Sequence, residues 1–180
     1  MENGIRTNRP DRNPSLFRHQ ALRAEEHLPG ILAIYNREVA HSTAIWNDAP
    51  ADLENRRAWW RSRAEAGYPV LVAVKDGAVL GYAGYGPFRP YEGYRETVEL
   101  SVYVAEASRR MGVATALMTA LEAEARKRGV HVMVGGIAAE NEASICLHRR
   151  LGFVETARMP EVGRKFGRYL DLVLMQKILK

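Results

Sequence analysis

The segment Thr97-Val-Glu-Leu-Ser-Val-Tyr-Val104 constrains the fold more than any other part of the chain. Its β-branched alternation predicts a buried strand. After a short gap come Arg109-Arg-Met-Gly-Val-Ala114 and a helical pattern with Val113, Leu117 and Leu121 on one face. A strand entering a helix through a glycine turn leaves the first helical N–H groups unpaired, where the helix dipole is positive. Such a turn can hold a pyrophosphate. The pattern Arg109-x-x-Gly112-x-Ala114 is short, and its variants arise by chance in roughly one chain in six of this size. Its meaning comes from its place between strand and helix. The lysine and serine of a Walker A loop are absent, which argues against nucleotide hydrolysis.

Alternation puts Val98, Leu100, Val102 and Val104 on one face of the strand and Thr97, Glu99, Ser101 and Tyr103 on the other. A carboxylate inside a sheet is expected to be partly desolvated, which would raise its proton affinity and poise it as a general base. Glu99 has a structural alternative: pairing with an arginine, or a place at a solvated edge.

The other segments predict an α/β or α+β domain with strands flanked by helices. Residues 1–15 lack apolar periodicity and are expected to be a flexible tail, leaving 16–180 as one domain. A strand is expected over Leu16–Ala21 and a helix over Ala24–Val39, with Pro29 in its first turns. Asp52 to Ala66 predicts a second helix, capped by Asp52 and stopped at Gly67. Its Trp59 and Trp60 are expected to pack. Val70–Val74, the Lys75-Asp-Gly-Ala78 turn and Val79–Tyr85 predict a hairpin. Gly86–Glu96 is rich in Gly, Pro, aromatic and charged residues and predicts a loop. Then follow a helix over Gly112–Lys127, a strand over Val130–Ile137, a helix over Asn141–Leu151, and strands over Phe153–Arg158 and Tyr169–Leu179.

Composition excludes several classes. The chain has 180 residues, 26 Lys and Arg against 21 Asp and Glu, and a formal charge of +5. No basic stripe with interleaved aromatics points to nucleic acid. The single cysteine, Cys146, allows no intramolecular disulfide and no cysteine-based metal site, and no metal is expected. Its place on the helix suggests the core. No run approaches the roughly 18 apolar residues of a spanning helix, so a cytoplasmic protein without membrane contact is expected.

Taken together, the strand, the Arg109-x-x-Gly112-x-Ala114 turn, Asn141 and Leu151-Gly-Phe153 resemble the acetyl-CoA site of the GNAT acetyltransferases. The likeness spans about residues 16–180. Within that superfamily the chain resembles the phosphinothricin and methionine sulfoximine acetyltransferases, through Ile45-Trp-Asn-Asp48, Gly67-Tyr-Pro-Val-Leu-Val72, the Thr97–Val104 strand, His131-Val-Met-Val134 and Val162-Gly-Arg-Lys-Phe-Gly-Arg168. The resemblance implies a mixed, mostly antiparallel sheet of six to seven strands with a splayed pair that holds acetyl-CoA, and a homodimer.

It further implies transfer of acetyl to the α-amino group of a small amino-acid analogue such as L-methionine sulfoximine, L-methionine sulfone or phosphinothricin. Backbone groups of Val102, Tyr103 and Val104 would hold the pantetheine arm as an added strand. Arg109, Arg110, Met111, Gly112, Val113, Ala114 and Thr115 would hold the pyrophosphate, and Asn141 would contact the arm further along. Glu99 would deprotonate the ammonium, directly or through a water, and the N–H of Val104 would meet the oxyanion. Many superfamily members place a Leu-Tyr pair where this chain has Leu147-His148, although the phosphinothricin group also has histidine there. His148 is read as an acid or relay to the leaving thiolate, or as a structural residue.

The acceptor needs donors for a carboxylate and a tetrahedral polar group, which arginine forks suit. Arg89 and Arg95 are the candidates, with Phe88, Tyr91 and Tyr94 as walls and Glu92 and Gly93 in the turn. The alternative for each arginine is a solvated loop charge. Trp46, Asn47, Lys165 and Phe166 are expected to close the pocket. Acetylation of protein N-termini or another amine, and a non-catalytic acetyl-CoA-binding module, are the competing readings.

Overall fold

The computed structural model describes residues 18–21 and 25–179. The expected tail over 1–15 and the start of the first strand at Leu16 lie outside the described residues. Strands β1 (Arg18–Ala21), β2 (Val70–Lys75), β3 (Ala78–Pro87), β4 (Thr97–Val104), β5 (Val132–Ala138), β6 (Val154–Lys165) and β7 (Arg168–Ile178) form one seven-stranded sheet in the order β1-β2-β3-β4-β5-β7-β6. Only the β4–β5 pair is parallel.

Local chemistry sets most of these elements. Asp76 and Gly77 take positive φ, 49° and 79°, the conformation a tight turn between twisted strands requires. Helix α1 (Leu28–His41) carries Pro29 in its first turn and starts later than Ala24, because residues 25–27 form a short 3₁₀ turn. Helix α2 (Leu53–Glu65) is capped by Asp52, whose carboxylate accepts from the Asn55 N–H at 2.8 Å. Helix α3 (Val113–Lys127) follows Gly112, and helix α4 (Glu142–Arg150) is capped by the Asn141 side chain, which accepts from the Ser144 N–H at 3.1 Å. Strand β6 runs past the predicted stop at Arg158. It is a sheet edge, where Pro160 costs no ladder bond, and its pairing with β7 shifts between Met159 and Gly163.

The helices pack in two layers. On one face Leu28, Ile31 and Ile34 of α1 meet Val70, Val72 and Tyr82, with Trp59 edge-on to Tyr82 at 6.1 Å. On the other, Val113, Leu117 and Leu121 of α3 and Ile145 of α4 meet Leu71, Ala83, Val98, Leu100 and Met133. The alternation predicted for β4 is observed: Val98 and Leu100 lie in the α3 layer, and Tyr103 packs in the α1 layer.

One irregularity positions the site. The β4–β5 pairing runs from Thr97–Val132 to Leu100–Gly135 and then ends, although β4 continues to Val104 and β5 to Ala138. On its other side β4 stays paired with β3 as far as Val104–Gly81. The Ala105 N–H donates to Leu80 O at 2.8 Å and the Phe88 N–H to Thr97 O at 3.4 Å. An antiparallel ladder alternates bonded and non-bonded pairs, so Tyr103, Ser101 and Glu99 bond β3 through their backbones, whereas Val102 and Val104 turn N–H and C=O away from it. Those groups face the opening between β4 and β5.

Candidate active site

The opening forms a cleft of about 270 Å³. Its walls are Glu99 to Tyr103 of β4, Gly135 to Ala138 of β5, Asn141 and Ser144 at the start of α4, and His148 in its last turn. Gly86 and Pro87 of β3, Ala44 and Arg63 complete it. Of the backbone groups expected to carry an added strand, those of Val102 and Val104 are directed into the opening. The Tyr103 backbone belongs to the β3 ladder, so its expected backbone role is corrected. Tyr103 also lines the cleft; its half-buried ring packs tilted against Tyr82 at 5.3 Å, and desolvation pushes its pKa up.

Glu99 is exposed, not partly buried as expected, because the strand pair has parted next to it. No arginine or lysine among the described residues ion-pairs with it, which removes the structural alternative of an ion pair. A Cβ on Gly136 would sit 3.2 Å from Glu99 Oε1. His148 is 2% exposed, packs edge-on against Phe153 at 5.1 Å, and its Nδ1 lies 2.8 Å from Ser144 O. A carbonyl only accepts, so Nδ1 carries the proton and Nε2 is left as an acceptor. That Nε2 is buried without a partner and would be 2.9 Å from a Cβ on Gly135. Burial holds the His148 pKa below its ordinary value, partly offset by the bond to Ser144.

At the far end of β4 the chain enters α3 through a left-handed turn. Arg110 and Gly112 take left-handed φ of 66° and 83°. The first helical ladder bond is Ala116 N–H to Gly112 O, so the N–H groups of Val113, Ala114 and Thr115 have no helical partner. Val113 is buried in the core and can offer only its backbone, while Arg110, Met111 and Thr115 are exposed. The Arg109 guanidinium does not face the turn: it donates at 2.5 Å to Glu38, which is 5% exposed at the end of α1. Arg109 thereby anchors the turn to α1.

The acceptor candidates fare differently. Arg89 folds over the Phe88 ring at 4.4 Å and donates to Phe88 O, and Arg95 lies beside Glu92 O and Glu96. Both are exposed, as are Tyr91, Glu92, Gly93 and Tyr94, and no residue from Arg89 to Arg95 lines the cleft. Trp46 covers Gly163 of β6 and donates to Thr43 O, while Asn47 and Phe166 are exposed. Lys165 is a correction. It is 2% exposed, and its ammonium donates to the carbonyls of Glu38 (3.3 Å), Ser42 (2.7 Å) and Ile45, so it tethers the β6–β7 hairpin to the end of α1. Cys146, expected in the core, is exposed.

Sequence reasoning missed Arg63, Ser101, Ser144 and the pair Gly135-Gly136. The glycine pair had a signal, since glycine inside a strand marks close approach of another group. Arg63 had only its spacing, one helical turn after Trp59.

A carboxylate and an imidazole reach one gap from opposite sides, with free N–H groups at its far end. This is the layout of a group-transfer enzyme acting on a phosphate-bearing carrier. The chain belongs to the acetyltransferase (GNAT) family, whose model matches residues 31–153. It is 58% identical over 150 residues, 83% of this chain and 87% of the relative, to the L-methionine sulfoximine/L-methionine sulfone acetyltransferase of Pseudomonas paraeruginosa. The structure of ribosomal-protein-alanine N-acetyltransferase from Brucella melitensis is 54% identical, with a TM-score of 0.87 and coverage of 91% of this chain and 99% of that one. A GNAT superfamily phosphinothricin acetyltransferase from Sinorhizobium meliloti in complex with AcCoA is 32% identical, with a TM-score of 0.87 and coverage of 91% and 89%.

Proposed function

We propose that the protein transfers acetyl from acetyl-CoA to the α-amino group of a small amino-acid analogue, with L-methionine sulfoximine and L-methionine sulfone first and phosphinothricin next. The observation that carries this reading is the parted β4–β5 pair, which leaves the Val102 and Val104 backbones unpaired beside the unpaired Glu99. The relative at 58% identity supports the acceptor class.

In this reading the pantetheine arm lies along β4 as an added strand, bonded by Val102 and Val104. Arg110 to Thr115 hold the pyrophosphate chiefly through N–H groups at the start of α3. Asn141, whose side chain also caps α4, meets the arm between these points. The acceptor arrives as an ammonium, gives a proton to Glu99 directly or through a water, and attacks the thioester carbonyl with the freed lone pair. The oxyanion forms at the Glu99 end of the arm, where the N–H that faces the opening is that of Val102 rather than the expected Val104. The C–S bond then breaks, and the second proton shed by the attacking nitrogen goes to the thiolate. His148 is neutral with Nε2 as acceptor, so it serves as a relay that must first gain a proton rather than as a resident acid.

The same reading takes residues 16–180 as one catalytic domain of a cytoplasmic homodimer. No helix among the described residues is long and apolar enough to cross a membrane, and Met159, Val162, Phe166 and Tyr169 form an exposed apolar set on the β6–β7 hairpin that suits a second copy. Arg89, Tyr91 and Arg95 would then act on the acceptor only after their loop moves onto the cleft.

A second reading, acetylation of an alanine N-terminus on a protein, is favoured by the name of the Brucella relative. The deciding experiment measures coenzyme A release with methionine sulfoximine, methionine sulfone, phosphinothricin, ordinary amino acids and an alanine-initiated peptide. Release with the analogues and not the peptide supports the first reading. Release with the peptide alone overturns it, and acetyl-CoA binding without release from any amine supports a non-catalytic module.

A further inference from the structure

Arg63 lies in the last full turn of α2, and its guanidinium enters the cleft above Gly86. The fit is close: a Cβ at Gly86 would fall 1.7 Å from one guanidinium nitrogen and 2.4 Å from its central carbon. Glycine therefore leaves the space that the guanidinium fills. One helical turn earlier Trp59 packs on Tyr82, which stands four residues before Gly86 on the same face of β3. The helix thus delivers Arg63 to a defined place and not to solvent at large.

That place lies on the same sheet face as the proposed base. Gly86 is the cross-strand partner of Glu99 in a bonded pair, where Cα atoms are about 5.5 Å apart and side chains share a face. Yet no carboxylate among the described residues lies within ion-pairing distance of Arg63, and Glu99 makes no ion pair either. A half-buried guanidinium beside an unpaired carboxylate suits a ligand that carries both charges. An α-amino acid carries them one carbon apart, the ammonium for Glu99 and the carboxylate for Arg63.

We infer that Arg63, aimed by α2 into the space left open at Gly86, receives the α-carboxylate of the acceptor. The assignment deepens the amino-acid reading proposed above and rests on it. Among the described residues Arg63 is the arginine whose side chain lines the cleft, whereas Arg89 and Arg95 lie on the neighbouring loop. Its position also selects the acceptor. A free amino acid presents a carboxylate next to the amine, and a peptide N-terminus presents an uncharged amide there.

The test compares L-methionine sulfone with its α-carboxamide in coenzyme A release by the full-length protein. The wild type should favour the acid in kcat/KM by roughly 10- to 100-fold, the range of a hydrogen-bonded charge contact. Arg63→Gln should bring the ratio close to one through KM for the acid, with KM for acetyl-CoA unchanged, and Arg63→Lys should restore part of it. Gly86→Ala should give the same collapse with Arg63 chemically intact, because the new methyl displaces the guanidinium. A preference that survives in Arg63→Gln overturns the assignment. So does a variant that instead loses its preference for sulfone over thioether side chains. A wild type that acetylates amino acids without regard to the carboxylate refutes the Arg63 role alone. A wild type that acetylates no free amino acid refutes the proposed function and this role together.

Discussion

Glu99 and His148 stand on opposite faces of one sheet, each against one of two consecutive glycines: Oε1 is 3.2 Å from a Cβ placed on Gly136, and Nε2 is 2.9 Å from one placed on Gly135. Successive strand residues point to opposite faces, so a glycine pair opens both faces at one level of the sheet. In the proposed reaction this divides the work. Glu99 serves the amine on the α1–α2 side, and His148 serves the sulfur from the α3–α4 side through the gap between them.

Glu99→Gln should lower kcat by roughly 10²- to 10⁴-fold, the usual contribution of a positioned general base. Because the cofactor contacts are backbone groups of other residues, the affinity for acetyl-CoA measured by calorimetry should stay as in the wild type. Turnover retained in this variant would remove Glu99 from the base role.

The two glycines should respond differently to alanine. At Gly136 the added methyl pushes only an exposed carboxylate, so stability should hold while kcat falls by about 10-fold through displacement of the base. At Gly135 the methyl meets a buried imidazole between α4 and β5, and a stability loss of about 1–3 kcal/mol is expected. Urea midpoints and turnover for both variants check the contrast.

His148 should make stability depend on pH in a particular direction. Its folded-state pKa lies below the ordinary value of about 6.5, because burial disfavours the imidazolium. The unfolded chain therefore takes up the proton first. The contribution is complete above about pH 6.5 and is lost as pH falls through the folded-state pKa. Between about pH 7 and 5 the wild type should lose more stability than His148→Gln, as read from urea midpoints at each pH.

Lys165→Met should behave as a structural lesion. Three carbonyls at the end of α1 lose a buried donor, at an expected cost of about 2–3 kcal/mol. Thermal unfolding should show that loss, while KM for the acceptor should not rise. A raised KM with unchanged stability would return Lys165 to the acceptor site.

Much of the fold is legible along the chain. The Asp76-Gly77 turn, the caps at Asp52 and Asn141, the left-handed Gly112 and the two faces of β4 all follow from chemistry within a few residues. The roles of charged side chains were less legible. Lys165, in the Val162–Arg168 segment, is expected to close the acceptor pocket, yet its partners are 120 to 127 residues away. Arg109 was read as a phosphate contact, and Glu38, 71 residues distant, holds its guanidinium.

By itself the sequence determined the elements, the anion-ready turn and the identity of the carboxylate on β4, because period, capping and positive φ are local properties. Only the tertiary structure decided that β4 and β5 part after Leu100 and Gly135, that Glu99 is exposed, and that Arg63 lies over Gly86, its cross-strand partner. Strand pairing and helix packing join residues far apart in the chain, and no local preference records which charge will meet which gap.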